Sequence, residues 1–146
     1  GLGVHSFLSI PRLFPNHFKN VVFISVGVID SSTFKGAEEI ENLKRSTEEN
    51  LKSFVEYANC LGWPAEYRFS VGVALLDEIE KVCRSVAKDY PRSMFFAGKL
   101  VFEREHFLSR LLHNQTPYAL ERRLQFEGMH LIILPVRVFE TAPAAA

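Results

Sequence analysis

Cysteine is scarce in this chain: Cys60 and Cys83 are the only two in 146 residues. Neither lies in a CxxC pair or near a histidine, so zinc-ribbon and thiol-redox chemistry have no foothold. Both fall on the apolar side of predicted helices and are expected to be reduced core residues. Net charge is missing as well, with 17 Lys+Arg against 17 Asp+Glu. That excludes the broad basic surface that phosphate neutralisation requires, so no nucleic-acid partner is expected. No apolar run approaches the ~20 residues of a membrane-spanning helix. The longest covers residues 21–29 and is broken by Ser25 and Gly27. No signal-peptide pattern leads the chain. His5, His17, His106, His113 and His130 show neither HxH nor HxxxH spacing, so no metal site is expected. There is no GxSxG elbow and no P-loop, and no cofactor is implied.

What is present is core material. Hydrophobic residues make up 47%, Phe occurs 13 times and charged residues are 23%. Those proportions exclude disorder. A chain of this length can bury roughly two-thirds of its unfolded surface without disulfides or metal. A single domain over residues 1–138 is expected, followed by a loose tail over 139–146. The chain opens at Gly1 without methionine and is expected to be cut from a longer protein.

Strand-like and helix-like stretches alternate, which predicts an α/β fold with an open, mostly parallel sheet and flanking helices. Residues 4–14 are helical in pattern, limited by Pro11. Residues 21–29 are β-branched and apolar on both faces, the pattern of an interior parallel strand. Over residues 37–61, Ile40, Leu43, Thr47, Leu51, Phe54, Val55, Ala58 and Leu61 repeat at helical spacing, and Gly62 is the expected stop. Glu41/Arg45 and Glu48/Lys52 are expected i,i+4 pairs. Tyr67, Phe69 and Val71 alternate with Glu66, Arg68 and Ser70, a half-buried strand near an edge. A second amphipathic helix runs from Leu75 to Tyr90 and ends at Pro91. A short strand is expected over 93–97, a turn at Gly98-Lys99, and a short helix over 103–112. Thr116 is expected to cap a helix with Pro117 at its first position, reaching Phe126 before Gly128. The strand at Leu131-Ile-Ile-Leu134 precedes Pro135, which places it at an edge.

Ligands of open α/β sheets bind beyond the carboxyl ends of the strands. Four segments are expected to meet there: the Gly1-Leu2-Gly3 turn, Asp30-Ser31-Ser32, Gly98-Lys99, and Asn114-Gln115-Thr116. The candidate binding residues are therefore Gly1, Gly3, Asp30, Ser31, Gly98, Lys99, Asn114 and Thr116. A helix start at Thr116 with Lys99 beside it would suit a small anion or nucleotide. The alternative is that Thr116 only caps its helix and Lys99 is solvated. Arg104, Arg110, Arg122 and Arg123 flank the same turn, either lining an anion site or lying on a solvated helix face. Gly1-x-Gly3-x-x-Ser6 with Asp30 has part of a dinucleotide fingerprint, but Ser6 replaces the third glycine and no strand precedes it. Asp77, Glu78 and Glu80 sit where a helix dipole favours acids, which needs no catalytic explanation.

The order of elements resembles the universal stress protein fold, with its flavodoxin-like winding, lacking its first strand. Gly98 is followed by Lys99, Leu100 and Val101, so that family's ATP-binding glycine motif is not matched. A closer resemblance lies in the wording of five segments. These are GLGVHSFLSI (1–10), FKNVVFISVGVID (18–30), FKGAEEIENL (34–43), FFAGKL (95–100) and LLHNQT (111–116). They resemble a soluble C-terminal domain of bacterial permeases of the amino acid–polyamine–organocation superfamily. The resemblance implies a strand and transmembrane helices ahead of Gly1, and a place at the cytoplasmic face of the inner membrane. It implies a regulatory or accessory role through ligand sensing or dimerisation, with the transmembrane part of the same chain as partner and no catalysis. A stand-alone nucleotide-binding stress protein and a small dinucleotide oxidoreductase are the alternatives. A homodimer through Leu131–Val138 is expected by analogy with stress-protein-like folds.

Overall fold

The structure is a computed structural model that describes residues 2–33, 35–102 and 115–138. The alternation expected from the sequence is present. The order is α1 (Leu2–Leu13), β1 (Val21–Val28), α2 (Ala37–Cys60), β2 (Ala65–Gly72), α3 (Leu75–Asp89), β3 (Phe95–Phe102), α4 (Thr116–Phe126) and β4 (Leu131–Val138). Pairing is parallel throughout, β1 with β2 and β3 with β4, giving two small sheets rather than one. The chain divides into two compact units, Phe14–Ser93 and Gly1–Leu13 with Met94–Ala146. The helix expected over 103–112 and the tail over 139–146 lie outside the described residues.

In the Phe14–Ser93 unit, β1 and β2 run in register from Val21 opposite Ala65 to Val28 opposite Gly72. Neighbours in that register share a face. Phe23 stacks on Phe54 of α2, with ring centroids 5.5 Å apart. Tyr67, opposite Phe23, donates its hydroxyl to Glu48 of α2 at 2.6 Å. The odd-numbered face of the sheet is therefore covered by α2. Arg68 and Ser70 bond Asp89 and Glu78 of α3, so the even-numbered face meets α3. Both strands meet a helix on each face. β1 meets both with mostly apolar residues, whereas β2 turns Tyr67, Phe69 and Val71 toward α2 and bonds α3 through Arg68 and Ser70. The core consists of Leu51 and Ala58 from α2 with Val82, Cys83 and Val86 from α3.

The other unit packs α1 and α4 against β3 and β4. Its buried residues, among those described, are Phe7, Phe95, Leu120, Leu124, Met129 and Leu134, with the polar Ser6. Helices α2 and α4 end in the same way. The amide of Trp63 reaches the carbonyl of Ala58 and that of Gly62 the carbonyl of Asn59; Met129 and Gly128 repeat this on Leu124 and Gln125. Gly62 and Gly128 take φ of 87° and 77°, the left-handed turn this ending needs.

Several local expectations are corrected. Gly98-Lys99 is no turn: it lies inside β3, opposite Leu134 and Pro135, and the strand continues through Phe102. The apolar Leu100, Val101 and Phe102 and a waiting ladder partner outweigh the turn tendency of glycine. Gly3 lies in the first turn of α1, not in a loop. The cap of α4 is Gln115, with no side-chain capping bond, and Thr116 is the first helical residue. Cys60 is exposed at the end of α2, while Cys83 is buried. Glu41 pairs with Lys44 at 3.4 Å, and Arg45 turns to Asn42; the Glu48–Lys52 pair forms as expected, at 3.4 Å.

Leu124 is wholly buried, at 0% exposure, whereas Phe126 two residues on is 89% exposed. Leu124→Ala should therefore cost about 2–5 kcal/mol in urea unfolding, from lost transfer energy plus a cavity. Phe126→Ser should change stability by less than ~0.5 kcal/mol.

Candidate functional site

A cleft of about 450 Å³ opens at the carboxyl end of β1, within the Phe14–Ser93 unit. It is lined by Val28, Ile29 and Asp30 from the strand end, and by Glu39, Ile40, Asn42, Leu43 and Ser46 from α2. Parallel sheets place ligand sites at such strand ends. The sequence builds the cleft through Gly27. A β-carbon at Gly27 would lie 3.0 Å from Leu43 and 3.2 Å from the Thr47 hydroxyl. Glycine there lets the amino-terminal half of α2 close down on β1, and this approach brings Glu39, Asn42 and Ser46 beside the end of the strand.

Asp30 is set by a local turn. One of its carboxylate oxygens, Oδ1, accepts the Ser32 hydroxyl at 2.6 Å and the Ser32 amide at 2.9 Å. These bonds, the hydroxyl first, hold the Asp30 carboxyl below its ordinary value. Across the cleft, Glu39 accepts the Lys35 amide at 2.8 Å, reaching back over the start of α2. The lining mixes acceptors and donors: two carboxylates, the Asn42 amide, whose oxygen accepts from Arg45 and leaves its NH2 to donate, the Ser46 hydroxyl, which donates to the Leu43 carbonyl, and the apolar side chains of Val28, Ile29, Ile40 and Leu43.

A second polar group lies at the carboxyl end of β2. Glu78 of α3 accepts the Ser70 hydroxyl and pairs with Lys81 at 3.2 Å. Ser70 first, then Lys81, lowers the Glu78 carboxyl from its ordinary value. Gly72 gives Glu78 its room, since a β-carbon there would lie 2.7 Å from that side chain. Along the same face Arg68 binds Glu66 and Asp89, each at 2.9 Å. The carboxylates and cations of this row satisfy one another. Its arrangement is that of a structural ladder tying β2 to α3.

Of the residues singled out in the sequence, Asp30 lines the cleft and Ser31 lies exposed in the loop beside it. Gly3, Gly98, Lys99 and Thr116 belong to the other unit, in α1, β3 and α4. Gly1 and Asn114 lie outside the described residues, as do Arg104 and Arg110. Arg122 and Arg123 are exposed on α4. Glu39, Asn42 and Ser46 were not anticipated as site residues. Their signal was legible: i, i+3 and i+7 put them on one stripe of α2, next to the apolar stripe that packs on β1.

Among the described residues, no group of three or more His, Cys, Asp or Glu side chains is placed to hold a metal ion. No helix among them is long and apolar enough to cross a membrane. Compared with protein-family models, with curated proteins and with solved structures, the chain matches none of them.

Two outcomes follow. The Asp30 carboxyl should titrate below the ordinary 3.8, and Ser32→Ala should raise it, as read by carbon-13 NMR. An acid held low in the folded chain stabilises it above the unfolded value and loses that contribution as pH falls through the folded one. The turn should therefore be insensitive to pH near neutrality and weaken only in acid. Burial, then Glu80, pushes the Cys83 thiol up to about 12. A thiol reagent at pH 8 should modify Cys60 in the native chain and reach Cys83 only after unfolding.

Proposed function

We propose that the chain is a ligand-sensing accessory domain of a membrane transporter of the amino acid–polyamine–organocation type, acting by binding and conformational coupling rather than by catalysis. The transporter assignment rests on the wording of the five segments quoted above. A universal-stress-protein-like winding and a place at the cytoplasmic face of the inner membrane belong to the same proposal. The sensing role rests on one observation, the cleft at the carboxyl end of β1 with an ionised Asp30 at its rim and the Glu39, Asn42 and Ser46 stripe opposite.

The polarity of that lining selects the ligand class. Among the described residues the lining has two carboxylates and no basic side chain, which favours a cationic or neutral ligand over an anion. A small molecule with donors for the two carboxylates, an amine or a polyol, fits a lining of this kind. A cleft of about 450 Å³ is within the size range of small-molecule sites. For such a ligand to regulate transport it must bind one transporter state more tightly than the other; equal affinity shifts nothing.

The test is a thermal-shift and calorimetric screen of aliphatic diamines, amino acids and monosaccharides, with ATP included for the nucleotide alternative. A ligand at 100 times its Kd should stabilise the chain by about 2.7 kcal/mol, and Asp30→Asn should remove most of that gain. If ATP alone binds, and Asp30→Asn leaves it unaffected, the sensing site lies elsewhere and the nucleotide reading replaces this one. If nothing in the screen binds, the sensing role is rejected for these classes.

A further inference from the structure

The polar groups of the cleft at the end of β1 differ in what they have left to offer a ligand. Glu39 accepts the Lys35 amide at Oε2, 2.8 Å away, and its Oε1 is left to accept. Asn42 accepts from the Arg45 guanidinium at 2.5 Å through its only side-chain oxygen, so its NH2 group is left to donate. Ser46 gives its one hydroxyl hydrogen to the Leu43 carbonyl at 3.1 Å, so its oxygen is left to accept. At the strand end, the Asp30 carboxylate accepts from Ser32 and is held ionised.

Arg45 decides the sense of Asn42. An unpaired side-chain amide can flip and offer either its oxygen or its nitrogen. Arg45 has only hydrogens to give, so Asn42 commits its oxygen to Arg45 and keeps its NH2 for another partner. Arg45 is not itself part of the lining. Among the described residues, the lining side chains therefore offer one donor, Asn42, beside acceptors at Asp30, Glu39 and Ser46.

We propose that the cleft takes a small amine with a neutral oxygen acceptor close to its ammonium group, the chemistry of a vicinal amino alcohol, and that Arg45 is a positioning residue that orients Asn42 for that oxygen. This rests on the sensing reading of the same cleft and narrows its ligand class. The ammonium group donates to the Asp30 and Glu39 carboxylates, and the oxygen accepts from the Asn42 NH2. Glu39 and Asn42 are three residues apart on α2, about 4.5 Å along the helix axis, so the two groups of the ligand lie near each other. Its carbons suit the apolar Ile29, Ile40 and Leu43. A diammonium ion answers the carboxylates but not the Asn42 amide. A polyol answers the amide but not the charge. An amino acid would bring a third carboxylate to a lining that has no basic side chain.

NMR titration of the chain tests it with three probes: ethanolamine, propylamine, which matches it in size but lacks the oxygen, and free glycine. Ethanolamine should bind roughly threefold to tenfold more tightly than propylamine, the worth of one hydrogen bond, and glycine more weakly than ethanolamine. The side-chain NH2 signals of Asn42 should move with ethanolamine and hardly with propylamine. Asn42→Leu should bring the ratio of the two amine affinities to one. Arg45→Met should lower the same ratio, in which any effect of the lost charge on both amines cancels. Asn42 and Arg45 are both exposed on α2, so neither change removes core packing. Equal binding of ethanolamine and propylamine overturns the inference and leaves the sensing reading standing. Tighter binding of glycine overturns the neutral acceptor. A ratio untouched by Arg45→Met overturns the positioning role. Binding of none of the three overturns the inference together with the sensing of amines.

Discussion

The enclosure of β1 between two helices is the constraint on which the Phe14–Ser93 unit depends. α2 packs on its odd-numbered face through Phe54, Leu43 and Thr47, and α3 packs on the other. A strand with apolar residues on both faces favours this place, since either face left to water would lose burial worth roughly 25 cal/mol per Å². The composition of β2 follows from the same enclosure. It carries its apolar residues toward α2 and an ionic ladder toward α3. The cleft follows too, because α2 can reach the end of β1 only over the bare backbone of Gly27.

Local pattern carried most of the elements. The 3.6-residue repeat of Ile40, Leu43, Thr47, Leu51, Phe54 and Ala58 specifies α2, and the period-two alternation from Glu66 to Val71 specifies β2. Gly62 and Gly128 end their helices where a left-handed residue is needed. The errors fall where a residue's local tendency competes with a distant partner. Gly98 reads as a turn until β4 offers it a ladder. Thr116 reads as a cap until Gln115 takes that place. Cys60 reads as core because it shares a helical stripe, but it sits on the final turn, past the end of the packed surface. The division into two small parallel sheets is a long-range pairing choice that no window of neighbouring residues encodes.

The candidate site was half legible for a related reason. Asp30 follows a parallel strand directly, and topology alone points to it. Its opposite wall, Glu39, Asn42 and Ser46, lies on a helix whose charged residues look like ordinary solvated ones. Only the close approach of α2 to β1 gives that stripe a cavity to face. Lys99 and the helix start at Thr116 belong to the other unit.

The proposed sensing role stands on the cleft at the end of β1, between Asp30 and the stripe of Glu39, Asn42 and Ser46. Calorimetric titration of the chain with an aliphatic diamine, beside its Asp30→Asn variant, tests it most directly. Binding that the substitution abolishes is the predicted result; no binding, or equal binding by both, would contradict it.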